Sequence, residues 1–144
     1  MTTSYLLDSG ILIRDLRHDV RAGRLLNHLA TLGEVITSVV TVFEIFRGCR
    51  SRFEEDEAHL VFERITPVPQ TYACAIAAAH LMRGHPGVMH GSASVPDAMI
   101  AGTAMAYRAR FVTLNTRQFS GVQHPDLDLV LLDQDAGDWV SAVS

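Results

Sequence analysis

Tyr5-Leu6-Leu7 is a short apolar run that stops at Asp8-Ser9-Gly10, the pattern of a buried strand ending in a polar turn. Residues 20–32 carry Val20, Leu25, Leu26, Leu29 and Leu32 at helical spacing and end at Gly33, which predicts an amphipathic helix. Val35-Ile36-Thr37 predicts a second strand, and Ser38 can cap a helix over residues 39–47. Residues 53–64 predict a charged helix that turns Phe53, Leu60, Val61 and Ile65 toward a core. Thr66-Pro67-Val68-Pro69 reads as a short extended piece whose prolines suit the edge of a sheet. An alanine-rich helix over residues 70–83 follows. Residues 84–94, with Gly84, Pro86, Gly87 and Gly91, break all periodicity and read as a loop, the segment expected to be most flexible. Residues 95–109 predict another helix, residues 111–114 a strand and residues 129–132 a last strand.

Strands that alternate with helices predict a mostly parallel sheet covered by helices on both faces, an α/β/α sandwich with about five strands. The whole chain, 1–144, reads as one domain, with no internal repeat and no linker. In such sheets ligands bind beyond the carboxyl ends of the strands, where the strand order switches direction. Asp8 stands at such an end.

Composition sharpens this picture only in part. Apolar residues make up 48 % and charged residues 19 %, which fits a folded domain and excludes a disordered chain. The formal charge of −4 offers no general basic field, so any contact with nucleic acid must be local. All twelve basic residues are arginines, and chemistry that needs a lysine is excluded. Cys49 and Cys74 lie in apolar stretches and read as small buried hydrophobes rather than a disulfide, in keeping with a reducing cytoplasm. The apolar region 35–46 is too short to span a membrane and contains Glu44. The N-terminus lacks the pattern of a secretory signal, and the expected location is cytoplasmic.

Four positions carry the candidate chemistry. Asp8 ends an apolar strand; its plain alternative is a turn or cap aspartate before the next helix. Glu44 interrupts a helix that is apolar nearly all round, and a carboxylate there is seldom left unpaired. Thr41, Glu44 and Arg47 share one helical face, so Glu44 either forms a surface pair with Arg47 or aims into a cleft with Arg47 placed to meet a phosphate. Asp97 follows Pro96 in what resembles the first turn of a helix, where a carboxylate also serves as a simple cap. The small residues Ala98, Ala101, Gly102 and Ala104 would let that helix approach the sheet closely. Asn115 follows the strand 111–114 and reads equally as a turn asparagine or as an amide oxygen for a hard cation.

Taken together, two or three carboxylates and an amide from four separate segments fall at one predicted edge of one sheet. Clustered carboxylates repel unless a cation neutralises them, and hard oxygen donors select Mg²⁺ or Mn²⁺. A cation held by Asp8, Asp97 and Glu44 suits phosphodiester hydrolysis, with Glu44 best placed to orient or deprotonate the attacking water. Arg14, Arg17, Arg21 and Arg24 recur near helical spacing and offer a local basic stripe for RNA or an acidic partner.

The segments YLLDSGILI, SVVTVFEIFRG, VPDAMIAGTA and FVTLNTRQF, in this order and spacing, resemble the PIN domain and, in this size class, the VapC-type toxins of bacterial toxin–antitoxin pairs. The resemblance runs from about Tyr5 to Leu132. It implies Mg²⁺- or Mn²⁺-dependent endoribonuclease activity, a homodimer, and an antitoxin that blocks the site. It maps the family's three acids onto Asp8, Glu44 and Asp97, and it puts Asn115 where a fourth acid often stands, a departure that bears on a second metal more than on the first.

Other constellations fail on spacing. His80, His85 and His90 recur every five residues with glycines and a proline between them, which is not a zinc pattern. No nucleophile elbow, phosphate-binding loop or dinucleotide fingerprint occurs. A phosphoryl-receiver domain would share the architecture but needs a lysine. A non-catalytic module of the same fold, acting through protein partners, is the remaining alternative, and three intact acids speak against it.

Overall fold

Side chains of successive residues in the first strand enter different cores, and that alternation builds the layers. In a computed structural model describing residues 3–144, β1 (Ser4–Leu7) sends Tyr5 and Leu7 into one apolar cluster and Leu6 into another. β4 (Arg110–Thr113) likewise divides Val112 from Phe111. The period-two pleat requires this when both faces of a sheet are covered. With β2 (Glu34–Ser38), β3 (Thr66–Val68) and β5 (Leu129–Leu131), the sheet runs in the order β3-β2-β1-β4-β5, and all four pairings are parallel. Pro67 lies in the edge strand β3, as its missing N–H predicts.

On one face, α1 (Ser9–Leu16), α2 (Val20–Leu32) and α4 (Arg52–Arg64) close over Tyr5, Leu7 and Val112, and Trp139 and Val143 near the C-terminus complete the cover. On the other, α5 (Tyr72–Gly84), α6 (Val95–Ala106) and the single turn α7 (Thr116–Phe119) cover Leu6, Ile36 and Phe111. α3 (Val39–Gly48) straddles the two, with Ile45 in the first core and Val40 against the second. The fold is a three-layer α/β/α sandwich.

Several elements depart from the sequence reading. α1 was not foreseen, because Ser9 and Gly10 at its start read as a turn; Asp8 caps it, and Ile11 and Leu12 carry its buried face. His18, at φ 62, reverses the chain between α1 and α2. Val61 and Ile65 are buried as expected, but Phe53 and Leu60 are 71 % and 55 % exposed, and Ala58 takes the remaining buried place on α4. The helix expected over 95–109 stops at Ala106, where Arg108 at φ 55 lets Ala109 N–H donate to Ala104 O.

Of the small residues of α6, Ala98, Ala101 and Ala104 are buried in the core that holds Leu6, Ile36 and Phe111, while Gly102 serves a contact that was not expected. A Cβ on Gly102 would lie 2.7 Å from both Ala78 N and Cys74 O, so the closest approach is to the backbone of α5, not to the sheet. The arginine stripe does not form either. Arg14 and Arg21 both pair with Asp19, and Arg21 also donates to Gln134 O at 2.7 Å and Ala136 O at 2.8 Å while its guanidinium sits over Trp139. Arg21 therefore fastens the C-terminal segment. The loop over 84–94 is tied down by buried Met89, by His85 Nδ1 against Leu81 O, and by Gln118 Nε2 donating to Val88 O.

Candidate active site

β1 and β4 are neighbours whose connections leave in opposite directions across the sheet, so the cleft beyond their carboxyl ends is the switch point. Asp8 is the first residue after β1, and its N–H donates to Val112 O, continuing the ladder. Its side chain is buried. Oδ1 accepts from Ser9 N–H at 2.8 Å, and Oδ2 accepts from the Thr113 hydroxyl at 2.6 Å. Burial raises the carboxyl pKa, and the hydrogen bonds from Thr113 and Ser9 oppose that rise.

Thr113 Oγ1 also accepts from Asn115 N–H at 3.0 Å. Asn115 Oδ1 in turn accepts from Gln118 N–H at 3.2 Å and caps α7, leaving Nδ2 to face Asp97 Oδ2 at 3.4 Å. The amide oxygen, expected as a cation donor, is thus engaged in a helix cap, and the amide presents an N–H to the neighbouring acid. An unbroken path of contacts joins Asp8, Thr113, Asn115 and Asp97.

Asp97 occupies the first turn of α6 directly after Pro96, as its sequence implies. Its carboxyl pKa is pushed up to about 6, first by burial, then by the charges of Asp8 and Glu44, against a lowering contribution from Asn115. Glu44 is half-buried on α3. Burial and the Asp8 charge raise its pKa, and Ser9 and Arg47 oppose the rise. Its Oε1 is buried and has no hydrogen-bond partner in the protein. It is not in ion-pair contact with Arg47, whose exposed guanidinium lies 5.7 Å from the Phe43 ring centroid. The Asp8 charge thus raises both Glu44 and Asp97, and the Glu44 charge raises Asp97 as well.

Among the described residues, no three His, Cys, Asp or Glu groups close into a ready-made cage. The donor set still suits a hard cation. It consists of carboxylates, it carries an orphaned buried oxygen, and Mg²⁺ keeps waters between itself and part of its donors. The sequence reading missed Thr113 and Ser9, the two groups that hold Asp8. A threonine inside a strand signals β-propensity, and only its place at the end of the strand beside β1 marks it out.

Next to Glu44, a cleft of about 340 Å³ opens between α1, α3 and α4, lined by the apolar Ile13, Leu16, Ile45 and Phe53 and by the polar Arg17, His18, Glu54 and Glu57. Both cysteines are free thiols. Among the described residues no helix is long and apolar enough to cross a membrane.

The sequence pattern of the PIN domain matches residues 5–124. No curated protein sequence matches the chain. Among solved structures, VapBC2 from Rickettsia felis bound to a DNA fragment from its promoter has a chain that superposes with a TM-score of 0.78 at 20 % identity, covering 91 % of this chain and 100 % of that one. VapBC-1 from nontypeable Haemophilus influenzae gives 0.70 at 18 % identity, covering 88 % and 96 %. DNA-bound VapBC from Salmonella typhimurium gives 0.67 at 22 % identity, covering 90 % and 97 %. The match over residues 5–124, carried by a parallel sandwich whose acids gather at the switch point, makes the chain a member of the PIN-domain family.

Proposed function

We propose that this protein is the toxin of a toxin–antitoxin pair and a Mg²⁺- or Mn²⁺-dependent endoribonuclease that hydrolyses RNA phosphodiester bonds. The observation that carries the reading is the meeting of Asp8, Glu44 and Asp97 at the switch point with one buried Glu44 oxygen left unpaired. Asp8 and Asp97 would hold the cation, with Glu44 beside them, and the cation would polarise a bound water and offset charge on the leaving oxygen. Thr113 and Ser9 fix the Asp8 carboxylate by donating to it. Glu44, with its free oxygen and raised pKa, accepts a proton from the attacking water as that oxygen bonds to phosphorus and the bond to one ribose oxygen breaks. Asn115 is a positioning residue that holds Asp97 through its amide N–H. Arg47 meets a phosphate of the strand from its exposed place on the same helix.

A cognate antitoxin is the partner, a reading supported by the toxin–antitoxin complexes among the structural neighbours. The cleft beside Glu44, apolar on Ile13, Leu16, Ile45 and Phe53 and lined by charges of both signs, suits an apolar segment flanked by polar side chains. A homodimer is supported by the strongly exposed Tyr72 and Ile76 on one side of α5, and a cytoplasmic place of action by the two unpaired thiols.

The test is cleavage of total cellular RNA by the purified protein in Mg²⁺ or Mn²⁺, with EDTA, Asp8→Asn and Asp97→Asn as controls. Discrete fragments that need the metal and vanish with either substitution are expected. Absence of cleavage, or cleavage that survives both substitutions, would overturn the nuclease and favour a non-catalytic module acting through protein partners.

A further inference from the structure

Thr37, Thr41, Thr103 and Thr113 are all fully buried, and three of them have partners. Thr37 donates to Leu7 O at 3.0 Å, Thr103 to Met99 O at 2.8 Å and Thr113 to Asp8 Oδ2 at 2.6 Å. Thr41 Oγ1 has none. A threonine within a helix ordinarily bonds back to the carbonyl one turn earlier, as Thr103 does on α6. Thr41 makes no such bond: it is the third residue of α3, and the carbonyl one turn earlier, that of Thr37, belongs to β2.

The other orphaned buried atom among the described residues is Glu44 Oε1, three residues further along the same helix. Side chains three apart share a face with roughly 5–6 Å between their Cβ atoms, a span that one water bridges. A buried water is stable with about three polar partners. The hydroxyl and the carboxylate supply two of them. Thr41 also stands in a run of Val39, Val40 and Val42, where a valine would fill the same volume and leave no unmet hydroxyl. The chain keeps the polar group at the one buried place on α3 that shares a face with Glu44.

We infer that Thr41 is a positioning residue of the acid cluster, its hydroxyl and Glu44 Oε1 jointly holding a water that serves as the outer shell of a divalent cation. The inference rests on the reading of Asp8, Glu44 and Asp97 as a cation site. It assigns Thr41 no direct contact with the reacting atoms. Its part is to keep Glu44 pointed at the water and to keep that water in place.

Two variants separate this role from packing. Thr41→Val keeps the shape and removes the hydroxyl, and Thr41→Ser keeps the hydroxyl. Thermal unfolding of the full chain is followed in EDTA and then across a Mn²⁺ titration, in which binding to the native state raises the midpoint. Thr41→Val is expected to be no less stable than wild type in EDTA, since it removes an unsatisfied hydroxyl. Its apparent Mn²⁺ affinity is expected to fall about 10- to 100-fold, the loss typical of groups that support metal ligands from behind. Thr41→Ser should restore most of the Mn²⁺ response. A Thr41→Val protein with the wild-type Mn²⁺ response overturns the inference and leaves the cation site standing. A loss of stability in EDTA with an unchanged Mn²⁺ affinity shows a packing role and also overturns it. A wild type that ignores Mn²⁺ removes the cation reading and this inference together.

Discussion

Replacing Asp97 by asparagine is expected to stabilise the metal-free protein at neutral pH while abolishing its nuclease activity. Burial and the charges of Asp8 and Glu44 raise the Asp97 carboxyl from 3.8 to about 6. Each pH unit of such a shift corresponds to about 1.4 kcal/mol between the two charge states, which sets a ceiling of about 3 kcal/mol. Two effects reduce it. The carboxylate is only partly buried, so solvent screens some of the repulsion. It also lies in the first turn of α6, where the helix dipole favours a negative charge by roughly 0.3–1 kcal/mol. A net gain of about 1–2 kcal/mol remains, or roughly 2–8 °C in Tm for a domain of this size. Asparagine retains an oxygen that can accept the Asn115 N–H, so the substitution removes charge and little else.

The pH dependence supplies the check on cause. Because the native state holds the Asp97 proton more tightly than the unfolded chain, stability falls as pH rises between about 4 and 6, and the full penalty stands above about 6. Urea or thermal unfolding in EDTA should therefore find the variant ahead of wild type at neutral pH and level with it below about 4, where both side chains are uncharged. Mg²⁺ or Mn²⁺ should close the gap by stabilising wild type alone. A variant no more stable than wild type at neutral pH, or an advantage that persists in acid, would refute the claim that the Asp97 carboxylate is held charged against burial and the charges of Asp8 and Glu44.

Thr113→Val takes away the 2.6 Å bond to buried Asp8, and a loss of about 1–3 kcal/mol in urea unfolding at neutral pH is expected; unchanged stability would show that Asp8 is satisfied otherwise. Arg21→Met should cost a similar amount by releasing Gln134, Ala136 and Trp139, while RNA cleavage per folded molecule stays at the wild-type level. Gly102→Val forces α5 and α6 apart, since even a Cβ would meet backbone at 2.7 Å, and a loss of at least about 1–3 kcal/mol is expected in the same assay. Phe53→Ala should leave cleavage intact and weaken inhibition by the antitoxin, measured as the antitoxin concentration needed to halve cleavage.

Much of the fold was legible because its signals are local. Short apolar runs at 5–7, 35–37, 111–114 and 129–132 are buried on both sides, and only a parallel sheet between helices asks for that. Pro67 marked an edge, and β3 is one. What failed also has local causes. Gly10 at the start of α1 hid a helix whose cap is Asp8 itself. Phe53 and Leu60 were assigned inward by hydrophobicity, yet both stay exposed, Phe53 on the wall of the cleft beside Glu44, where apolar side chains suit a partner better than a core. The arginine stripe depended on one continuous helix, and the turn at His18 breaks it.

The site was legible in a different way. Asp8 and Asp97 are unremarkable as residues and stand out by their places at the ends of elements in a parallel sandwich, whereas Glu44 stands out by interrupting an apolar helix. Strand order could not be read from the chain, and strand order is what sets β4 beside β1 and so brings Thr113 within 2.6 Å of Asp8. It also turns Asn115 from a candidate cation donor into the link between the cap of α7 and Asp97. Thr113 is thus an ordinary strand residue whose role exists only once two segments more than a hundred positions apart are paired, whereas Ser9 and Asn115 act over shorter stretches of chain. Burial raises all three carboxyl pKa values, neighbouring charges add to the rise at Glu44 and Asp97, and the cost falls on the fold that bears them. A chain that needed Asp97 only as a helix cap could have used a neutral side chain there, and the repulsion it carries instead is the physical reason to expect a cation.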